Sequence, residues 1–235
     1  MDALATLAAQ PEAAALFLDV DGVLAPIVDR PADARVPDET REELRRLAGR
    51  YALIAAVTGR PSDVARSIVG VPELRYAGEH GLELDPSAAA WADAVHGFAA
   101  DTGWPDTELK PLSAAFHYRT ASDAAAARQQ LRRVAADAAR LGLKTRWGRM
   151  VLEVLPPVES SKGTAVRALL GELGLRRALY AGDDTTDLQG FAALDGLDVA
   201  VKVAVVSSEG PTELGEQADV VVDSPAAFLD ILRAL

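Results

Sequence analysis

Short runs that are apolar at every position, and that stop abruptly at a polar cluster, recur along this chain of 235 residues. Residues 15–18 stop at Asp19-Val20-Asp21-Gly22, residues 51–57 at Thr58-Gly59-Arg60, and residues 178–181 at Gly182-Asp183-Asp184. A strand with one wet face alternates apolar and polar residues. A strand without alternation is covered on both faces, as in a parallel sheet flanked by helices. The fold class that follows is α/β. In an open sheet of this kind, ligands bind just beyond the carboxyl ends of the strands, so the polar clusters mark the expected site.

Helical patterns fill the gaps between the runs. Residues 37–49 read as a helix with Asp38 as its cap and Leu44 and Leu47 inward. Pro61 suits the first turn of a helix that reaches about Ile68, and 74–77 is a further short strand. Residues 162–173 read as a helix burying Val166, Leu169, Leu170 and Leu173. Strands at 199–203 and 220–222 and a helix at 226–235 complete the series. The middle differs: 113–118, 143–147 and 150–155 are strand-like around a helix at 122–141. Ala127, Leu131, Val134, Ala138 and Leu141 lie on one face of that helix, with Ser122 as N-cap and Gly142 after its end.

Composition excludes several classes. The 24 basic and 35 acidic residues leave a net charge of −11, which argues against nucleic acid or an anionic membrane surface as a general partner. There is no cysteine, so disulfides and thiolate metal sites are excluded, as suits a reducing cytosol. No apolar run reaches the roughly 18–20 residues of a spanning helix. The start, with Asp2 and no basic segment, does not read as a signal peptide. A cytoplasmic monomer with a small-molecule partner is expected.

Any one acid at a strand end is as readily a turn or helix cap as a catalytic group. Four clusters in one order are more specific: Asp19-Val20-Asp21-Gly22, Thr58-Gly59-Arg60, Lys162-Gly163 and Gly182-Asp183-Asp184-Thr185-Thr186-Asp187. Together they resemble the motifs of the haloacid dehalogenase superfamily of phosphotransferases, which implies a Rossmann-like core. The resemblance makes Asp19 the nucleophile that forms an aspartyl-phosphate, and Asp21 the general acid and then base. It gives Thr58 a phosphate contact and Lys162 the task of neutralising developing charge. It implies Mg²⁺, held by the Asp19 carboxylate, the Asp21 carbonyl and Asp183, with Asp187 in or near the shell around it. The role of Asp184 is left open. Lysine occurs only at 110, 144, 162 and 202, and a helix start disfavours a cation, so Lys162 is unlike a casual surface residue.

The long separation lies between the second and third motifs, Thr58 and Lys162, too long for an ordinary connection. It implies a small α/β cap of the C2 type at 84–156, inserted in a core formed by 1–83 and 157–235. Such a cap excludes water and contacts the non-reacting part of a substrate. Within that branch the chain is similar to the trehalose-6-phosphate phosphatase family. The segments that carry the similarity are DVDGVLAPI from Asp19, VTGRPSDV from Val57, YAGEHGLEL from Tyr76, FHYR from Phe116, GRMVLEVLP from Gly148, SKGTAV from Ser161 and YAGDDTTD from Tyr180.

The similarity implies sugar contacts from Arg60 and His80 in the core and from His117, Arg119 and Glu153 in the cap. Val23, Leu155 and Leu188 stand where that family commonly has Thr, Arg and Glu. The expected activity is Mg²⁺-dependent hydrolysis of a sugar phosphate, foremost trehalose 6-phosphate. The alternatives are another disaccharide or sugar phosphate, a sugar phosphomutase, and a non-catalytic sugar-phosphate-binding module.

Overall fold

A computed structural model describes residues 3–28, 30–148, 150–207 and 210–235. Asp2 and Arg149, which belong to segments quoted above, lie outside the described residues. The chain forms two compact units, Met1–Gly81 with Ser160–Leu235, and Leu82–Glu159. In chain order the first unit opens with α1 (Ala3–Ala9), β1 (Ala15–Leu18), α2 (Asp38–Ala48), β2 (Leu53–Val57), α3 (Ser62–Val69) and β3 (Arg75–Ala77). The second unit follows with α4 (Ala92–Thr102), β4 (Thr107–Leu109), β5 (Ala114–His117), α5 (Ala124–Arg140), β6 (Lys144–Gly148) and β7 (Val151–Leu155). The chain then returns to the first unit with α6 (Lys162–Leu173), β8 (Arg177–Gly182), α7 (Asp187–Ala192), β9 (Val199–Val205), α8 (Thr212–Gln217), β10 (Val220–Val222) and α9 (Pro225–Ala234).

The first unit is built on a six-stranded parallel sheet of order β10-β9-β8-β1-β2-β3. Strands β1 and β2 are buried at every position, which is what their unbroken apolar runs require. Strand order reverses between β1 and β8: β2 and β3 lie on one side, β9 and β10 on the other. Leu18, the last residue of β1, sits beside both Ala56 and Ala181. The residues that follow these strands therefore emerge side by side at the switch point, where an α/β sheet leaves a crevice.

Several helix ends differ from expectation. Asp38 is the first residue of α2, not its cap: Pro37 holds the cap position, and the Asp38 carboxylate pairs with Arg41 at 3.1 Å. Pro61 likewise precedes α3 rather than opening it. Leu173 is half exposed, because it is the last residue before Gly174 turns the chain away (φ 64°). Ser161 caps α6 in a reciprocal pair with Thr164, each side chain accepting from the other residue's N–H.

In the second unit an antiparallel sheet of order β4-β5-β7-β6 packs one face against its helices. Phe116, Leu131, Leu152 and Val154 form the centre of that core. The cap of α5 is Asp123, whose carboxylate accepts from Ala126 N–H at 2.9 Å, and not Ser122. Leu141 is 61% exposed. The helix ends before it, Gly142 turns (φ 78°), and Leu143 takes the buried place while its N–H donates to Ala138 O at 3.0 Å. The unit extends slightly beyond 84–156 because Leu82 and Val158 pack with Ala88 and Leu155.

Candidate active site

Asp19 is the first residue past β1, and its N–H donates to Ala181 O of β8 at 3.0 Å. This bond continues the ladder one step beyond the strand and holds Asp19 against the segment that leads to Asp183. Val20 N–H donates to Asp19 Oδ1 at 2.7 Å. Lys162 opens α6, buried, and its ammonium donates to Asp19 Oδ2 at 2.6 Å and to Asp187 Oδ1 at 2.7 Å. The unfavourable dipole at a helix start is thus overcome by two carboxylates.

Asp187 is fully buried and its acceptors are occupied. Oδ1 also takes the Tyr180 hydroxyl at 2.7 Å, and Oδ2 accepts from Asp183 N–H at 3.0 Å and Asp184 N–H at 2.9 Å. One carboxylate therefore orients Lys162 and shapes the loop that carries Asp183. Asp184 itself is exposed. Sequence reasoning misses Tyr180 as a site residue, although a buried phenol within a parallel strand must find a polar partner.

Carboxylate oxygens of Asp19, Asp183 and Asp187 all lie within 4.8 Å of one another. If all three acids ionised, they would outnumber the single ammonium by two negative charges in a poorly solvated place. Burial pushes the Asp19 carboxyl up to about 7, Lys162 opposing and Asp187 adding to the rise. Asp183 is pushed up to about 9, by burial first and then by the charges of Asp19 and Asp187. For Lys162, burial alone would lower the ammonium, but Asp187 and Asp19 raise it, so it is firmly charged. Such a site fits a divalent cation, which would offset the excess charge.

Gly22 makes room for this arrangement. Its backbone is left-handed (φ 80°), and a Cβ there would collide with the Asp183 carboxylate. The turn it belongs to is tight, with Gly22 N–H donating to Ala25 O and Ala25 N–H to Val20 O, both at 2.8 Å. Asp21 is half-buried on this turn. Arg60 clasps it through Nε to Oδ2 at 2.6 Å and Nη2 to Oδ1 at 2.7 Å.

Thr58 follows β2, is buried, and accepts from Arg60 N–H through Oγ1 at 3.2 Å. Its own N–H donates to Ala77 O at 3.0 Å, and its carbonyl accepts from His80 N–H at 2.8 Å. Glu79 N–H donates to Arg60 O at 2.9 Å. These bonds zip the segment after β2 to the segment after β3. They hold Glu79 and His80 in left-handed conformations (φ 48° and 57°), costly for residues with a Cβ. The His80 ring lies over Gly59, where a Cβ would come within 2.6 Å of Nε2.

The second unit gathers its own polar groups on the sheet face opposite its core. Cross-strand register places Glu108, Ala115, Glu153 and Arg146 in one row. Glu153 is buried, accepts from Lys110 Nζ at 2.8 Å and lies 3.7 Å from Arg146 Nη1. His117 donates from Nε2 to Glu108 at 3.0 Å, which holds the Glu108 carboxyl below its usual range. The His96 ring donates to the Lys110 carbonyl at 2.8 Å. Arg119 is exposed just past β5. Sequence reasoning also misses Glu108, Lys110 and Arg146, though the scarcity of lysine is a signal for Lys110. Two of the departures from the family pattern are core residues: Val23 is fully buried, and Leu155 packs against Leu82 and Ala88. Leu188 is half-buried beside Asp187.

The chain shares its fold with a haloacid dehalogenase-like hydrolase from Bacteroides thetaiotaomicron, at a TM-score of 0.63 and 15% identity over 94% of this chain and 99% of that one. The class is thus the haloacid dehalogenase-like α/β fold, with the strand order reversing between β1 and β8. Residues 17–225 match the family model for trehalose-phosphatase, and the chain belongs to that family. It is 32% identical to trehalose 6-phosphate phosphatase RA3 of Zea mays, over 97% of this chain and 71% of that protein. Aspergillus fumigatus trehalose-6-phosphate phosphatase superposes with a TM-score of 0.67 at 26% identity, covering 98% of this chain and 96% of that one. The chain spans between 61% and 67% of the length of four further plant relatives.

Proposed function

We propose that the protein is a Mg²⁺-dependent phosphatase that hydrolyses trehalose 6-phosphate through an aspartyl-phosphate. The observation that carries this reading is the Lys162 ammonium bridging Asp19, just past β1, and Asp187, at the start of α7. A carboxylate oriented in this way, beside a third acid and a buried cation, is a nucleophile awaiting an electrophile, not a structural ion pair. Asp19 attacks phosphorus, the bond to the sugar oxygen breaks, and Asp21 delivers its proton to that oxygen. Asp21 then takes a proton from water, the water oxygen attacks phosphorus, and the Asp19–phosphate bond breaks to release inorganic phosphate.

Asp19, Asp183 and the Asp21 carbonyl would hold Mg²⁺, with Asp187 steadying the Asp183 loop. When bound, the ion neutralises phosphate charge and lets a carboxylate approach a dianion. The Thr58 hydroxyl donates to a phosphate oxygen, and Lys162 offsets charge as the ester bond breaks. Arg60 and His80 border this site in the first unit. Glu153, His117 and Arg119, with Glu108, Lys110 and Arg146, supply paired acceptors and donors for sugar hydroxyls. The test is Mg²⁺-dependent phosphate release across sugar monophosphates and trehalose 6-phosphate. A preference for the disaccharide is expected; equal rates would refute it, and release only with an acceptor sugar would indicate a mutase.

A further inference from the structure

Arg60 is anchored on several sides. Its carbonyl accepts from Glu79 N–H at 2.9 Å, its N–H donates to Thr58 Oγ1 at 3.2 Å, and its Nη1 donates to Pro31 O at 3.0 Å. What remains of the guanidinium fork meets Asp21 edge to edge, one nitrogen on each carboxylate oxygen, at 2.6 and 2.7 Å. The Arg60 side chain is largely buried, and Asp21 is half-buried. The Asp21 backbone is fixed in the tight Gly22 turn, and its carboxylate is gripped by Arg60.

We infer that Arg60 is a positioning residue for Asp21: its fork fixes the rotamer from which the Asp21 carboxyl exchanges protons with the leaving oxygen and with water. This rests on the phosphatase reading above and assigns the general acid a partner. A carboxylate has about four acceptor positions, and the fork takes one on each oxygen. Each oxygen keeps a second lone pair for the proton, so the clasp orients the acid without blocking it. A guanidinium presents two parallel N–H groups at fixed spacing, whereas an ammonium is a single point charge. Lysine at position 60 would keep the charge and lose the orientation.

The difference between charge and orientation is measurable. Protonation of the leaving oxygen matters for an alkyl phosphate such as trehalose 6-phosphate, but hardly for p-nitrophenyl phosphate, whose phenolate departs unaided. Arg60→Ala and Arg60→Lys should each lower kcat on trehalose 6-phosphate by roughly 10- to 100-fold, the scale of a misplaced catalytic group. On p-nitrophenyl phosphate the loss in the first step, read as the pre-steady-state burst of p-nitrophenolate, should be only a few-fold, and Asp21→Asn should show the same selectivity; the second step, in which Asp21 takes a proton from water, is common to both substrates. Full recovery of kcat by Arg60→Lys would overturn the inference, as would a rise in KM with kcat intact, which would make Arg60 a substrate contact only. An equal loss of the first-step rate on both substrates would also overturn it and indicate a structural role. A wild-type protein inert toward both phosphates, or an Asp21→Asn variant without selectivity, would instead bring down the phosphatase mechanism and this inference with it.

Discussion

The two polar regions of the molecule are built on opposite electrostatic plans. At the β1/β8 switch point, Asp19, Asp183 and Asp187 face one ammonium, Lys162, so the acids outnumber the protein's own cation. On the sheet face of the second unit, Glu108 and Glu153 are matched by Lys110 and Arg146, with His117 bonded to Glu108. The first cluster is uncompensated by the protein and calls for a cation. The second is balanced within itself and presents neutral pairs of donors and acceptors. An uncompensated cluster suits charged chemistry, and a balanced one suits recognition of hydroxyls, which bring no charge to offset a loss of balance.

The sharpest way to break this comparison is at Asp19, the proposed nucleophile. Asp19→Asn should lower phosphate release by roughly 10⁴-fold or more, with circular dichroism unchanged. Retained turnover would end the assignment of chemistry to the first region. Chelation of the divalent ion should come next, abolishing activity, and its effect on stability should depend on pH. Asp19 and Asp183 have carboxyls raised to about 7 and about 9, so the metal-free fold binds more protons than the unfolded chain. Stability from these groups is present below the ordinary carboxylate range and is lost as pH rises through 7 and then 9. The gain in Tm on adding Mg²⁺ should therefore increase from pH 5 to pH 9; a constant gain would contradict the uncompensated cluster.

Lys162→Met should cost about 3–5 kcal/mol in denaturant unfolding, because it strands two buried carboxylates. In the balanced region, Glu153→Gln should act on binding. KM for trehalose 6-phosphate should rise roughly tenfold, the effect of a lost charge-assisted hydrogen bond, while turnover of p-nitrophenyl phosphate changes little. A loss on both substrates would mean that the balanced face does more than recognise sugar. The smallest effect is expected at the α5 cap, where Asp123→Ala should cost about 1 kcal/mol in thermal or denaturant unfolding and leave the kinetics alone.

Much of the first region is legible in the amino-acid pattern. The runs before Asp19, Thr58 and Asp183 are apolar throughout, and that pattern implies parallel strands whose ends converge. Helix α6 is readable because its periodicity and the polar segment before it agree. The ends of α2 and α5 are less legible, since neighbouring residues such as Ser122 and Asp123 can both cap, and local backbone angles choose between them. Leu141 and Leu143 show the same limit: either fits the helical periodicity or its continuation, and the turn at Gly142 decides which is buried.

By itself, then, the sequence determined the α/β alternation and the acids that follow the strands, because each depends on patterns within a few residues. Only the tertiary structure decided the partnerships: Arg60 with Asp21, 39 residues apart; Lys110 with Glu153, 43 apart; and Tyr180 with Asp187 across a strand-to-helix turn. Those contacts depend on strand register and on how loops cross the sheet's edge. A one-residue slip in register would turn Glu153 and Tyr180, which lie in strands, to the opposite face.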